Sequence, residues 1–282
     1  MRKNILIIIG AMITIAIMII FIYNNPDREL IIVGSEFYPD SYLNEAGEVD
    51  GVLVEVTRVI LDKMKIPYNM NLDLTWEDAQ QEVRGRNADI ILSASHKESR
   101  ENFLYYTEEQ KNWRDKLPKT AQSLYAYTLF TNKKNEEKFG NFTEFKDLIG
   151  TNHRLGMIEE MSFVDEVIDL GLNFYSYKNG EDMIKAFYND EIDLLIGINN
   201  DVYVFVANSG FSSDELVELK TLDTRVAFVL FSKESEKGWL KKVREDFYKE
   251  FSKMLKSGEY IEIIEREYAD MKIPVPKGYY EM

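Results

Sequence analysis

Two short phrases about a hundred residues apart constrain this chain more than anything else in it. Ala88-Asp89-Ile90-Ile91-Leu92 and Ile192-Asp193-Leu194-Leu195-Ile196 each set one acid at the start of an apolar run. Short apolar runs bounded by turn signals read as strands buried on both faces, the habit of parallel sheets. Each phrase also follows a helical pattern. Thr75 is placed to cap a helix opening at Trp76, with Ala79 and Val83 on one face and a stop near Gly85. Asp182 opens the second, carrying Ile184, Ala186 and Phe187 and leading through Asn189 and Glu191 into the strand.

The flanking segments extend the same grammar. Leu30-Ile31-Ile32-Val33 reads as a buried strand ending at Gly34, and Gly51 opens a helix carrying Leu53, Val56, Ile60 and Met64 that Pro67 closes. In the second half, Arg154-Leu155-Gly156-Met157 reads as a strand and Ser162 to Leu170 as a helix ended by Gly171. Alternating strands and helices predict a parallel sheet with crossover helices. The repetition suggests two Rossmann-like α/β lobes of similar plan; a single doubly wound sheet is the alternative. Leu124 to Thr131 and Arg225 to Ser232 are natural crossing strands, which assigns residues 30–124 and 225–282 to one lobe and 125–224 to the other. The tail is helical, with Phe247, Phe251 and Leu255 on one stripe and Tyr260, Ile264 and Tyr268 beyond Gly258.

The N-terminus bears on the compartment. Arg2 and Lys3 precede an apolar run from Ile5 to Tyr23, broken only by Gly10 and Thr14. At about 1.5 Å per residue such a helix reaches roughly 29 Å, close to the hydrocarbon thickness of a bilayer. The run leaves through Tyr23-Asn24-Asn25-Pro26 with no small-residue cleavage pattern. The expectation is therefore a transmembrane anchor over 5–23 with residues 1–4 as a cytoplasmic stub, a cleaved signal being the alternative and export following from either. There is no cysteine, so neither a lipid-modified cysteine nor thiolate chemistry is available. His96 and His153 are the only histidines, which argues against a multi-histidine metal site; no metal or cofactor is expected. A net charge of −15 disfavours nucleic acid and anionic lipid, since phosphate recognition needs a basic face.

The order of these segments resembles the family 3 extracellular solute-binding proteins, the polar amino acid receptors of ABC transporters. Four stretches carry the likeness: Val33-Gly34-Ser35-Glu36-Phe37-Tyr38-Pro39 with Gly47 and Gly51-Val52-Leu53-Val54-Glu55-Val56; Trp76 through Gly85 to Ala88-Asp89, then Glu98-Ser99-Arg100; Asp147-Leu148-Ile149-Gly150 with the Asp182 to Gly197 helix and strand; and Leu255-Lys256-Ser257-Gly258-Glu259-Tyr260 with Glu267-Tyr268. The likeness implies a type II periplasmic-binding-protein fold, with two lobes, two hinge strands and a ligand cleft between them, working without catalysis, metal or cofactor. It also implies an ABC permease as membrane partner and a monomer tethered or secreted outside the cytoplasmic membrane.

What the likeness implies about the site varies by residue. Arg100 falls where the family's arginine grips a ligand α-carboxylate; a surface ion pair with Glu98 or Glu101 is the alternative. Ser93 and Ser95, at the end of the same strand, would add hydroxyl and backbone groups, or be ordinary loop serines. Phe37 and Tyr42 match the aromatic wall, or are core. Ser162 would open a helix whose free N–H groups suit an anion, although Glu160 opposes one. The family's acid for the ligand ammonium falls at Ile198, which leaves Asn199, Asn200 and Asp201 nearby, with Asp201 reachable through a shifted loop and Glu36 as a substitute. The segment 108–122, with Trp113, Arg114, Lys116 and Pro118, is longer than the family's hinge approach and reads as a flap or a surface excursion. A sensing module for a separate membrane partner is the rival function, and a dehydratase on the same fold a more distant one.

Overall fold

The computed structural model describes residues 29–270 apart from 45, 143–144, 151, 160, 162 and 237, together with residue 275. The expected anchor over 5–23 and the expected helix start at Ser162 lie outside the described residues. Among the described residues no helix is long and apolar enough to cross a membrane.

The first lobe is built on β1 (Leu30–Val33), β4 (Tyr68–Asn71) and β5 (Ile90–Ala94), with a small hairpin of β2 (Tyr42–Leu43) and β3 (Val49–Asp50) beside them. The second is built on β8 (Leu155–Ile158), β9 (Tyr175–Tyr177) and β10 (Leu194–Ile198). In each lobe the first of the three parallel strands lies between the other two, giving β4-β1-β5 and β10-β8-β9. The repeated acid explains the shared plan. Asp89 takes the Ile31 N–H on its carboxylate at 3.1 Å while its own N–H donates to the Ile31 carbonyl at 2.8 Å. Asp193 does the same to Arg154, at 3.2 and 2.8 Å, and adds the Arg154 guanidinium. Each acid thus locks the mouth of its third strand to the first.

Two antiparallel strands join the lobes: β7 (Ser123–Asn132) and β11 (Leu216–Ser232). They pair from Leu216–Asn132 to Ala227–Ser123; β11 then continues along β5 while β7 runs along β10. The sequence pattern revealed only the buried half of β11. Its first nine residues alternate with exposed polar side chains, so no apolar run marks them.

Helices cover both lobes. In the first, α1 (Val52–Met64) ends at Lys65 in a left-handed conformation, and α2 (Trp76–Arg84) starts where the Thr75 hydroxyl accepts the Asp78 N–H. After β5 come a short 3-10 turn (Glu98–Asn102), β6 (Leu104–Tyr105) and α3 (Glu108–Lys111). The second lobe carries α4 (Glu136–Phe139), α5 (Val164–Asp169), α6 (Gly180–Tyr188) and α7 (Asn199–Asn208). Helix α6 begins two residues before the expected Asp182, because the Asn179 side chain accepts the Asp182 N–H and caps it. The tail forms α8 (Gly238–Ser257) and α9 (Glu259–Asp270), parted by Gly258 at φ +84° and packed with α1. Phe247, Phe251, Tyr260, Ile264 and Tyr268 are buried there, Leu255 only partly.

One glycine is obligatory for the cleft loop. Gly51 precedes α1 at φ +118°, and a Cβ there would stand 2.7 Å from the Asp40 carbonyl. That approach lets the Asp40 carbonyl accept the N–H groups of Leu53 and Val54, tying the 35–41 loop to the helix.

Candidate ligand cleft between the lobes

A cleft of about 870 Å³ opens where both lobes present the carboxyl ends of their parallel strands, the usual place for a ligand in an α/β sheet. From the first lobe it is lined by Ser35, Glu36, Phe37, Trp76, Ser93, Ser95 and Arg100. The crossing strand β7 supplies Tyr125 and Tyr127, and the second lobe Ile198, Asp201 and Phe205.

Arg100 is 6% exposed and sits on the 3-10 turn after β5. Its Nη1 donates to the Ser95 carbonyl at 3.0 Å and the Ser95 hydroxyl at 3.2 Å, and its Nε to Gln80 Oε1 at 3.3 Å. Trp76 covers the guanidinium, 5.0 Å from the ring centre. These partners are all neutral; among the described residues no carboxylate pairs with Arg100 and no acceptor meets its Nη2. Glu101, the expected surface partner, instead meets His96 and Lys111, each at 2.9 Å. A buried cation without a counter-charge, facing a cleft, is suited to an anion.

Ser93 holds its position at a backbone cost. It has φ +58° where β5 bulges against β11, between the Phe228–Ala94 and Leu230–Ile91 pairs, and its hydroxyl lies 3.1 Å from that of Ser41. A non-glycine residue in this region stores about 1–2 kcal/mol, and strain of this kind concentrates at functional sites. Valine is worse there than serine, since branching at Cβ crowds the following carbonyl. Ser93→Val is expected to cost about 2 kcal/mol or more, read as a fall in melting temperature larger than that of Ser93→Gly.

The second lobe corrects two expectations. Asp201 enters the cleft not through a shifted loop but because α7 begins directly after β10, placing it in the first helical turn. It is 6% exposed, and its Oδ1 accepts the Tyr38 N–H of the first lobe at 2.9 Å. Burial, with Asp40 nearby, raises its carboxyl well above the usual range, against the Tyr38 hydrogen bond. Asn199 turns away from the cleft and donates to Glu218 at 3.1 Å.

The aromatic wall is also rearranged. Phe37 lines the cleft and meets Tyr125 edge-on at 5.2 Å, and Tyr125 meets Tyr127 in turn. Tyr42 does not line it; its position in β2 puts it under Tyr38, stacked at 4.5 Å. Glu36 is exposed at the cleft and its carboxylate accepts the Leu43 N–H at 3.2 Å. Sequence reasoning missed Trp76, Tyr125, Tyr127 and Phe205 as lining residues. In the sequence Trp76 marks a helix start and one of the stretches that carry the family likeness, and the two tyrosines belong to a crossing strand; no local pattern places any of them on the cleft.

The 108–122 segment contributes nothing to this cleft. Thr107 and Gln110 cap α3 reciprocally, while Trp113 and Leu117 pack on the first lobe. Arg114 then forks onto Asp223 at 3.1 and 3.0 Å and approaches Glu166 of α5. Lys97 pairs with Asp165 and buried Arg225 with Glu166, so this seam stitches the lobes electrostatically. Arg114 is more than half exposed, so Arg114→Ala is expected to cost under about 1 kcal/mol, and the cost should vanish in high salt. Thermal melts at two ionic strengths check this.

An α/β fold of two lobes on two antiparallel hinge strands, with a cleft between them, defines the type II periplasmic-binding-protein class. Residues 30–269 match the bacterial extracellular solute-binding proteins, family 3, and the chain belongs to that family. No curated protein sequence matches the chain. Among solved structures it is similar to a histidine kinase sensor domain with similarity to periplasmic binding proteins (TM-score 0.69, 13% identity, 85% of this chain and 95% of that one). It is also similar to the arginine-, lysine-, histidine-binding protein ArtJ from Geobacillus stearothermophilus (0.66, 13%, 89% and 97%). A third is an ABC uptake transporter substrate-binding protein from Streptococcus pneumoniae with bound histidine (0.65, 18%, 88% and 94%).

Proposed function

We propose that this chain captures a small carboxylate-bearing solute, an amino acid or a relative of one, outside the cytoplasmic membrane and delivers it to an ABC permease. Arg100 carries the reading: a buried guanidinium that lines the cleft and is held only by neutral acceptors. A carboxylate there replaces lost water with charge-assisted hydrogen bonds. Ser93 and Ser95 flank it, and Asp201 stands on the opposite lobe as the acceptor for an ammonium. Residues 30–124 with 225–282 act as one jaw and 125–224 as the other, hinged at β7 and β11. Contacts made to both jaws at once favour the closed state. The apolar run 5–23 tethers a monomer to the membrane. The names of two similar structures, both amino-acid-binding, support this reading. Binding without turnover suffices for it, and neither metal nor cofactor is required.

A second reading, a sensing module working through a separate membrane partner, is favoured by the likeness to a kinase sensor domain. Both readings require ligand binding. In a thermal-shift panel on the full chain in mild detergent, an amino acid at a hundred times its Kd should add about 2.7 kcal/mol. For a domain of this size that is a rise of roughly 5–10 °C. Uniform silence across a broad panel of amino acids and small carboxylates overturns both readings.

A further inference from the structure

We infer that a charged seam beside the hinge is a latch that draws the two jaws together independently of the solute, and so sets how often the clamp is closed. The signs along it are sorted by jaw. On the division given above, Lys97, Arg114 and Arg225 come from the first jaw and Asp165, Glu166 and Asp223 from the second. Lys97 pairs with Asp165. Arg114 forks onto Asp223 at 3.1 and 3.0 Å and reaches Glu166 at 4.0 Å. Arg225 donates from Nε to Asp223 at 2.8 Å and from Nη2 to Glu166. The seam encloses a second hollow of about 460 Å³, where Lys111 and Asp169 repeat the sorting while Glu98 and Asp115 run against it. None of the six paired residues lines the ligand cleft.

An isolated exposed ion pair contributes little, whereas a forked arginine within a network contributes more. This network also has a buried centre. Arg225 is buried, with its guanidinium 5.3 Å from the Tyr127 ring centre and 5.5 Å from that of Phe163, and those two rings stack at 4.9 Å. Tyr127 lines the ligand cleft, and Phe163 leads directly into α5, which carries Asp165 and Glu166. Lys97 lies on the loop between Ser95 and Arg100, so both sides of the latch are continuous with the cleft wall. The 108–122 segment gains a role here: Trp113 and Leu117, packed on the first lobe, give Arg114 a fixed base from which to reach the second. The consequence for affinity follows from populations. A clamp that is closed a tenth of the time binds about tenfold more weakly than one held shut.

The chain has no cysteine, so cysteines introduced at exposed Gln81 on α2 and exposed Lys185 on α6 take spin labels without competition. Double electron–electron resonance on the full chain in mild detergent, with no ligand added, then reads the distance between the jaws. R114E combined with D165K sets like charges against each other across the seam, and should lengthen that distance by several ångström and broaden its distribution. Salt at about 0.5 M should move the parent in the same direction, by less. D165K alone should open the clamp, and K97D with D165K, which exchanges the two partners, should restore the parent distance. A thermal melt close to the parent's marks a longer distance as opening, and if R114E with D165K fails to fold, D165K and its exchange decide alone. An unchanged distance in the charge-reversed variants, or an exchange no closer to the parent than D165K, overturns the inference. No ligand enters the measurement, so that failure leaves the binding reading standing, just as silence in the ligand panel leaves the latch standing.

Discussion

Arg100→Ala is expected to weaken amino acid binding by about a hundredfold or more, because a carboxylate that loses a buried, hydrogen-bonded cationic partner forfeits 2–5 kcal/mol. The apo fold should tolerate the change. Ser95's carbonyl, which Arg100 shares, keeps the Tyr106 hydroxyl at 3.1 Å, and no carboxylate is stranded by the loss. Arg100→Lys should recover little, since a point charge cannot reproduce two parallel N–H groups under the Trp76 ring. Calorimetry measures affinity and a thermal melt without ligand measures the fold. Retained binding with an unchanged melt would remove the carboxylate assignment.

The second large effect concerns a residue the ligand does not touch. Asp40 is fully buried in the loop that runs from β1 into β2, and burial lifts its carboxyl to about 7, only partly offset by the Ser123 hydroxyl. Neither carboxyl oxygen has a hydrogen bond of good geometry among the described residues. The unfolded chain releases this proton near pH 4. Between there and pH 7 the folded state therefore binds more protons, and stability falls as pH rises until the loss is complete above about 7. A shift of this size amounts to roughly 4 kcal/mol as an order of magnitude. Asp40→Asn keeps the shape and removes the charge, so it should stabilise the apo protein at pH 8 by clearly more than it does at pH 5. Denaturant unfolding at the two pH values measures this. A variant with the same pH slope as the parent would show that Asp40 ionises without cost.

Much of the fold was legible because its signals are local. The repeated acid before an apolar run marked two equivalent strand mouths, and Thr75, Gly171 and Gly258 punctuated helices by chemistry that acts within one turn. Where the reading slipped, the deciding partner was remote or the pattern was polar. The first half of β11 alternates like a solvent-facing strand, and the Asn179 cap moved a helix start by two residues.

The cleft was harder to read than the frame. The family likeness marks Arg100, with its place after β5 in support, but its lack of a carboxylate partner is a tertiary fact, since Glu101 pairs with His96 and Lys111 instead. Asp201 looked displaced by three residues, yet the first turn of α7 carries it to the Tyr38 backbone of the other lobe, 163 positions away. Asp40 left no trace in the sequence beyond an acid after proline. The sequence by itself determined the two α/β repeats, the crossing strands and the acidic balance, because periodicity, caps and net charge are properties of neighbours along the chain. Only the tertiary structure decided which side chains share the cleft and which acids lose their water. Burial and long-range pairing depend on how both lobes meet across β7 and β11, and no local pattern encodes that meeting.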